Sequence, residues 1–247
     1  GVDVDFRYGI DSPSVKKLFE LIPKDLVGEE IVVEDGTVEA QGYVRGRYDE
    51  EQKPILGCNV AIQNVKGHYE GMKQGVDDLK AIFNAFVNPQ KPDSSYVNLE
   101  IFHFQGGNSE VESVVRMTEL LTDANISAQI KAHADLASLA HVFPIANTEM
   151  YGVVDADLSV KFRYSDIQNS NFGRIRIRGK LDADSIAITN DTLSFSLHSD
   201  AHVRFDGNDT LKIGAKVSRL ELFTREMRLR VRNFKTRGKT LMQADRS

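Results

Sequence analysis

Val38-Glu39-Ala40-Gln41-Gly42-Tyr43-Val44-Arg45-Gly46-Arg47-Tyr48 alternates apolar or small residues with polar ones, broken only at Tyr43. Successive side chains of a β-strand point to opposite faces, so this spacing gives one face an apolar environment and the other water. The same period of two runs through Val2, Val4, Phe6 and Tyr8, set between Asp3, Asp5 and Arg7. It returns in Ile175 and Ile177 between Arg174, Arg176 and Arg178, and in Met227, Leu229 and Val231 between Arg228, Arg230 and Arg232. About a dozen such segments occur, many near ten residues and longer than a typical strand. They predict a mostly β chain, an elongated, curved and groove-like antiparallel sheet with one apolar face.

The composition fits a well-folded globular chain and narrows its partners. Of 247 residues, 41% are hydrophobic and 27% charged, and 31 basic against 36 acidic side chains leave a net charge of −5. That balance excludes a broadly basic nucleic-acid binder and an acidic disordered tail. One cysteine, Cys58, excludes an internal disulfide framework and a cysteine zinc cluster. Its place in the run Cys58, Val60, Ile62 predicts a small buried core residue. No 18 consecutive residues are apolar, so no membrane-spanning helix is expected. A first residue of Gly rather than Met suggests a piece of a longer protein.

Two stretches read as short amphipathic helices. In the first, Ser12 is placed to cap, Pro13 takes the first helical position, and Val15, Leu18, Phe19 and Ile22 follow before Pro23. In the second, Asp135 is placed to cap Leu136, Leu139, Ala140 and Phe143 before Pro144. A further helical turn is expected around Met117–Leu121. The two helical patterns coincide at an offset of 121. The strands after them coincide at 116, with Gly36, Val38, Ala40, Val44 and Tyr48 matching Gly152, Val154, Ala156, Val160 and Tyr164. Strands are expected to end near Tyr8 and Ala134, ahead of each helix. The chain therefore divides into two related units, 1–125 and 126–247, each able to continue its neighbour's apolar surface.

Catalytic signatures are missing: the sequence holds no nucleophile elbow, zinc-protease motif, phosphate loop or dinucleotide fingerprint. Gly106-Gly107-Asn108 reads as a turn between Phe104 and Val111. His198, Asp200 and His202 share a face if their strand is continuous, and converge on an ion only if it bends. Ordinary solvent-facing positions are the expectation there, so no metal site is assigned. Asp155 with Asp157, and Asp182 with Asp184, alternate with Ala or Leu like the outer face of a strand, not a catalytic pair. From Lys216 onward ten Lys or Arg stand against three acids, suited to phospholipid head groups or an acidic partner. The lack of interleaved aromatics apart from Phe234 argues against single-stranded nucleic acid.

The runs ISAQIKAHADLASLAHVFP and MYGVVDADLSVKF, with VNLEIFHFQGGNSEVESVVRMTELL ahead of them, resemble the AsmA-like family of bacterial envelope proteins, in its Bacteroides-type form. The resemblance covers nearly the whole chain through texture, a strand leading to Asp-Leu-x-x-Leu, a Pro, then a Gly-x-Val-x-Ala strand. It implies a parent held in the inner membrane by an N-terminal helix, with repeating β units in the periplasm forming a long apolar groove. It also implies a part in carrying phospholipid to the outer membrane and in outer-membrane protein assembly. No catalytic residue, cofactor or metal carries over, and this segment would lie in the periplasm without spanning a membrane.

Under that reading the apolar members of the alternating runs line the groove: Val38, Ala40, Val44, Val111, Val115, Ile126, Ala128, Ile130, Ile175, Ile177, Leu193, Phe195, Leu229 and Val231. Phospholipid or another acyl lipid is the expected partner. The same alternation also builds a closed β-sandwich filled by its own side chains. Two other functions stay open: an envelope scaffold that pairs its strand edges with envelope proteins, and a hydrolase on a β scaffold, which would need a deep cleft with a carboxylate pair.

Overall fold

A computed structural model describes residues 1–20, 31–72, 74–207, 210–224 and 227–241. Twelve strands follow one another: β1 (Val2–Ser12), β2 (Ile31–Tyr48), β3 (Ile55–Tyr69), β4 (Val76–Val87), β5 (Tyr96–Gly106), β6 (Ser109–Thr118), β7 (Asn125–Asp135), β8 (Thr148–Arg163), β9 (Arg176–Asn190), β10 (Phe195–Gly207), β11 (Thr210–Phe223) and β12 (Arg228–Leu241). They form one antiparallel sheet in sequence order. Every connection is thus local, which suits a chain with few helices to carry crossovers.

The curved sheet does not close. Among the described residues β1 pairs only with β2, and β12 only with β11. The main packing partners of each strand are its ladder neighbours and the short helices, so sheets do not stack face to face as in a sandwich. The chain exposes 16203 Å², against about 11,000 Å² for a compact protein of its 27.6 kDa mass. Its buried apolar core among the described residues is only Ala40, Phe104, Val142 and Ile186.

Three helices are described: α1 (Val15–Phe19), α2 (Leu136–Val142) and α3 (Tyr164–Gln168). The cap of α2 is Asp135 as expected, its carboxylate accepting from the Ser138 N–H at 3.1 Å. The cap of α1 is Ser14 instead of Ser12. Ser12 is still in the sheet, paired with Val38, so β1 outruns the expected end near Tyr8 and the helix starts two residues later. Ile22 and Pro23 lie outside the described residues. The helical turn expected around Met117–Leu121 is the end of β6 and a turn, because Met117 pairs with Ile126.

Both α1 and α2 sit at the same end of the sheet, where β1 and β7 finish and β2 and β8 begin. There α1 packs on β2, and α2 on β8 and β7. Gly107 and Asn108 make the tight turn from β5 to β6, with φ of 56° and 53°, the left-handed pair that a two-residue hairpin needs. The sheet crosses the expected unit boundary at 125/126 unbroken, β6 pairing with β7 from Glu110↔His133 to Thr118↔Asn125.

Candidate functional site

Directly paired residues of neighbouring strands share a face, so the register fixes which side chains lie together. One row runs Ile10, Ala40, Val60, Phe83, Leu99, Val115, Ala128, Val160, Ile177, from β1 to β9. Every member is apolar, and at about 4.8 Å per strand the row spans roughly 38 Å. A second row, Met150, Ile188, Leu197, Leu222 and Leu229, carries the apolar face on to β12. At one end of the sheet Phe143, which caps α2, packs against Phe104 of this face.

Most of the sequence-predicted groove residues meet here. Val38, Ala40 and Val44 on β2, Val111 and Val115 on β6, and Ile126, Ala128 and Ile130 on β7 are on this face, with Ile177, Phe195, Leu229 and Val231 further along. Two fall outside the strands. Ile175 lies between the 3₁₀ turn Phe172–Arg174 and β9, and Leu193 is in the β9–β10 turn with 66% of its surface exposed. Alternation counted through a turn does not keep its face. Cys58 is on the apolar face but half-buried, not core.

The two faces treat the same side chain differently. Val114, turned to the polar face, is 47% exposed, while its neighbours Val115 and Val111 are half-buried. Mutual contact among apolar side chains accounts for that shelter, since among the described residues no second sheet packs over it.

The opposite face carries the charged members of each strand, interrupted by the apolar row Ala61, Ile82, Ile101. Open clefts of about 720, 530 and 430 Å³ lie on it. The first is lined by Tyr43, Phe86 and Tyr96 among polar neighbours, the other two by charged side chains of β6–β9.

The His198, Asp200 and His202 trio does not converge on one point. The strand is continuous but bulged after Asp200, whose carboxylate accepts from the Ser185 N–H at 2.7 Å, while His202 Nδ1 lies 2.9 Å from Asp182 and His198 Nδ1 lies 3.3 Å from Ser196 Oγ. Asp155 and Asp182 pair directly across β8 and β9, each held from outside by a histidine, His133 at 2.8 Å and His202 at 2.9 Å. These are outer-face positions, as read from the alternation.

The basic C-terminal stretch is partly neutralised within the fold. Arg232 and Arg219 donate to Glu221 at 2.9 and 3.0 Å, and Arg230 lies 3.1 Å away. Hydrogen bonds from Arg232 and then Arg219 hold the Glu221 carboxyl down at about 2, against the pull of desolvation.

One ionic cluster that sequence reading missed is His103 with Glu110 and Glu112. Its signal was the Gly107-Asn108 turn, which places His103 opposite Glu112 and one ladder step from Glu110.

No protein-family model, curated protein or solved structure matches this chain.

Proposed function

We propose that this chain is a non-enzymatic periplasmic segment of a larger AsmA-like envelope protein, and that its apolar face holds phospholipid acyl chains on their way to the outer membrane. The observation that carries the reading is the unbroken apolar row from Ile10 to Ile177 on a sheet face over which, among the described residues, no second sheet packs. Acyl chains bind without directional bonds, at about 0.8 kcal/mol per buried CH₂. Small and branched aliphatic side chains therefore suffice as a lining. Residues 1–125 and 126–247 act in this reading as two copies of one unit whose apolar faces join. The helix starts, Val15 and Leu136, keep the 121-residue offset of the sequence patterns.

A second reading, an envelope scaffold, draws on the edge strand β1, where Val2, Phe6 and Ile10 are exposed beside a backbone edge that no other described strand pairs with. An added strand from an envelope protein would satisfy that edge.

Native mass spectrometry of the detergent-free chain, followed by denaturing extraction, separates the two. Stoichiometric phospholipid is expected, and it is lost in Val44→Asp and Ile177→Asp while their far-UV circular dichroism matches the parent. A lipid-free parent overturns the lipid reading in favour of the scaffold.

A further inference from the structure

On the polar face, away from the apolar rows, the β5–β6 hairpin gathers a mixed nitrogen and oxygen donor set. His103 pairs across the ladder with Glu112, and Glu110 lies two residues along on the same face. His103 Nδ1 is 3.9 Å from Glu110 Oε1 and 4.0 Å from Glu112 Oε1. The three donor atoms all lie within 4.8 Å of one another. We propose that His103 Nδ1, Glu110 and Glu112 bind a divalent first-row ion of the Zn²⁺ type.

Three observations bear on this. A tetrahedral ion about 2.1 Å from each ligand sets donor atoms about 3.4 Å apart. The distances from Nδ1 thus close by about half an ångström, through the torsions of two glutamates that are more than half exposed. The imidazole is the more fixed partner, being only 24% exposed.

The other ring nitrogen faces a carboxylate. His103 Nε2 lies 3.8 Å from Asp78 Oδ2 on β4. An imidazole that gives Nδ1 to a metal carries its proton on Nε2, and metal-bound histidines regularly donate that N–H to a carboxylate. A small ring rotation toward Asp78 brings Nε2 within hydrogen-bond reach of Oδ2.

The third observation is charge. Asp78, Glu110 and Glu112 surround one imidazole, while the cations next to them by register are Lys80, opposite His103, and Lys131, opposite Glu112. One nitrogen and two carboxylate oxygens suit Zn²⁺ better than Mg²⁺ or Ca²⁺, which prefer oxygen alone. In a tetrahedral shell the three ligands leave one coordination position to water, so it is an open site.

Calorimetric titration of Zn²⁺ into the chelator-stripped 247-residue chain tests the site. One Zn²⁺ per chain is expected, with Mg²⁺ giving no comparable heat. His103→Asn and Glu112→Gln should each weaken binding at least 30-fold, and Asp78→Asn by ten- to hundred-fold as an orienting partner. His202→Asn, a distant histidine already paired with Asp182, should leave affinity unchanged. Far-UV circular dichroism of each variant should match the metal-free parent. A parent that takes up no Zn²⁺ overturns the proposal, as does binding that survives His103→Asn or disappears in His202→Asn. In those cases the cluster is only a histidine among carboxylates.

Discussion

Phe104 on β5 and Phe143 at the C-terminal cap of α2 hold their ring centroids 5.6 Å apart, at an interplanar angle of 37°. The pair ties the second helix, which follows β7, to the apolar face of a strand two places from β7 in the sheet. The two rings are unequal partners, because Phe104 is 6% exposed and Phe143 46%. Phe104→Ala should therefore cost about 3 kcal/mol and Phe143→Ala about 1 kcal/mol, through the transfer and cavity costs of a lost ring. Urea denaturation checks the ratio. Equal costs would mean that the contact between the rings, not the burial of Phe104, dominates.

The turn beneath α2 is equally exposed to test. A Cβ on Gly107 would lie 2.7 Å from Val142 Cγ2 and 2.9 Å from the Ser138 carbonyl oxygen. Gly107 also holds φ of 56°, a region that L side chains adopt at a cost. Gly107→Ala is expected to destabilise by about 2 kcal/mol from backbone strain and the clash together. Hydrogen exchange should show α2 amides losing protection before those of β6 and β7. Uniform loss across the sheet would show that the helix is not the point of conflict.

These contacts show which levels of structure a linear reading reaches. Period-two alternation exposes strands directly, since the fold needs only side-chain parity and local hairpins. The Asp135 cap is equally plain, because cap, helix and following Pro144 are contiguous. Ser12 misleads, since the same residue serves a strand that pairs with Val38, 26 positions downstream, and tertiary pairing overrides the local cap signal. Met117 misleads for the same reason through Ile126. The apolar face follows from parity as long as the strand continues, which is why Leu193 in a turn departs from it. His103 and Glu112 are legible only after the Gly107-Asn108 turn has set the register, for nothing in their own spacing marks them.

Acid should loosen the last hairpin first. The Glu221 side chain is 7% exposed and is held near a pKa of about 2 by Arg232, Arg219 and Arg230. An unfolded glutamate titrates near about 4.3. The folded carboxylate thus resists protonation, and its stabilisation is complete above the unfolded value and lost as pH falls from there toward 2. Hydrogen exchange of β11 and β12 amides should lose protection across that window in the parent. Glu221→Gln should start less protected at neutral pH and show a flatter profile. An unchanged profile in the variant would mean that other carboxylates carry the acid response.

Val114 and Val115 offer the sharpest test of the lipid reading, because they are the same residue, adjacent on β6, on opposite faces. Val115 belongs to the apolar row and touches the Leu99 and Ala128 positions by register, whereas Val114 is opposite Gln129 on the polar face. An Asp at Val115 puts a charge where acyl chains are proposed to lie, and a charge resists transfer from water by several kcal/mol. An Asp at Val114 joins a surface already rich in Glu and Lys. Binding of a fluorescent phospholipid analogue should therefore fall at least tenfold in Val115→Asp and change less than twofold in Val114→Asp, with both variants folded by circular dichroism. Equal losses in the two variants would detach lipid binding from the apolar face, and equal retention would place any bound lipid elsewhere on the sheet.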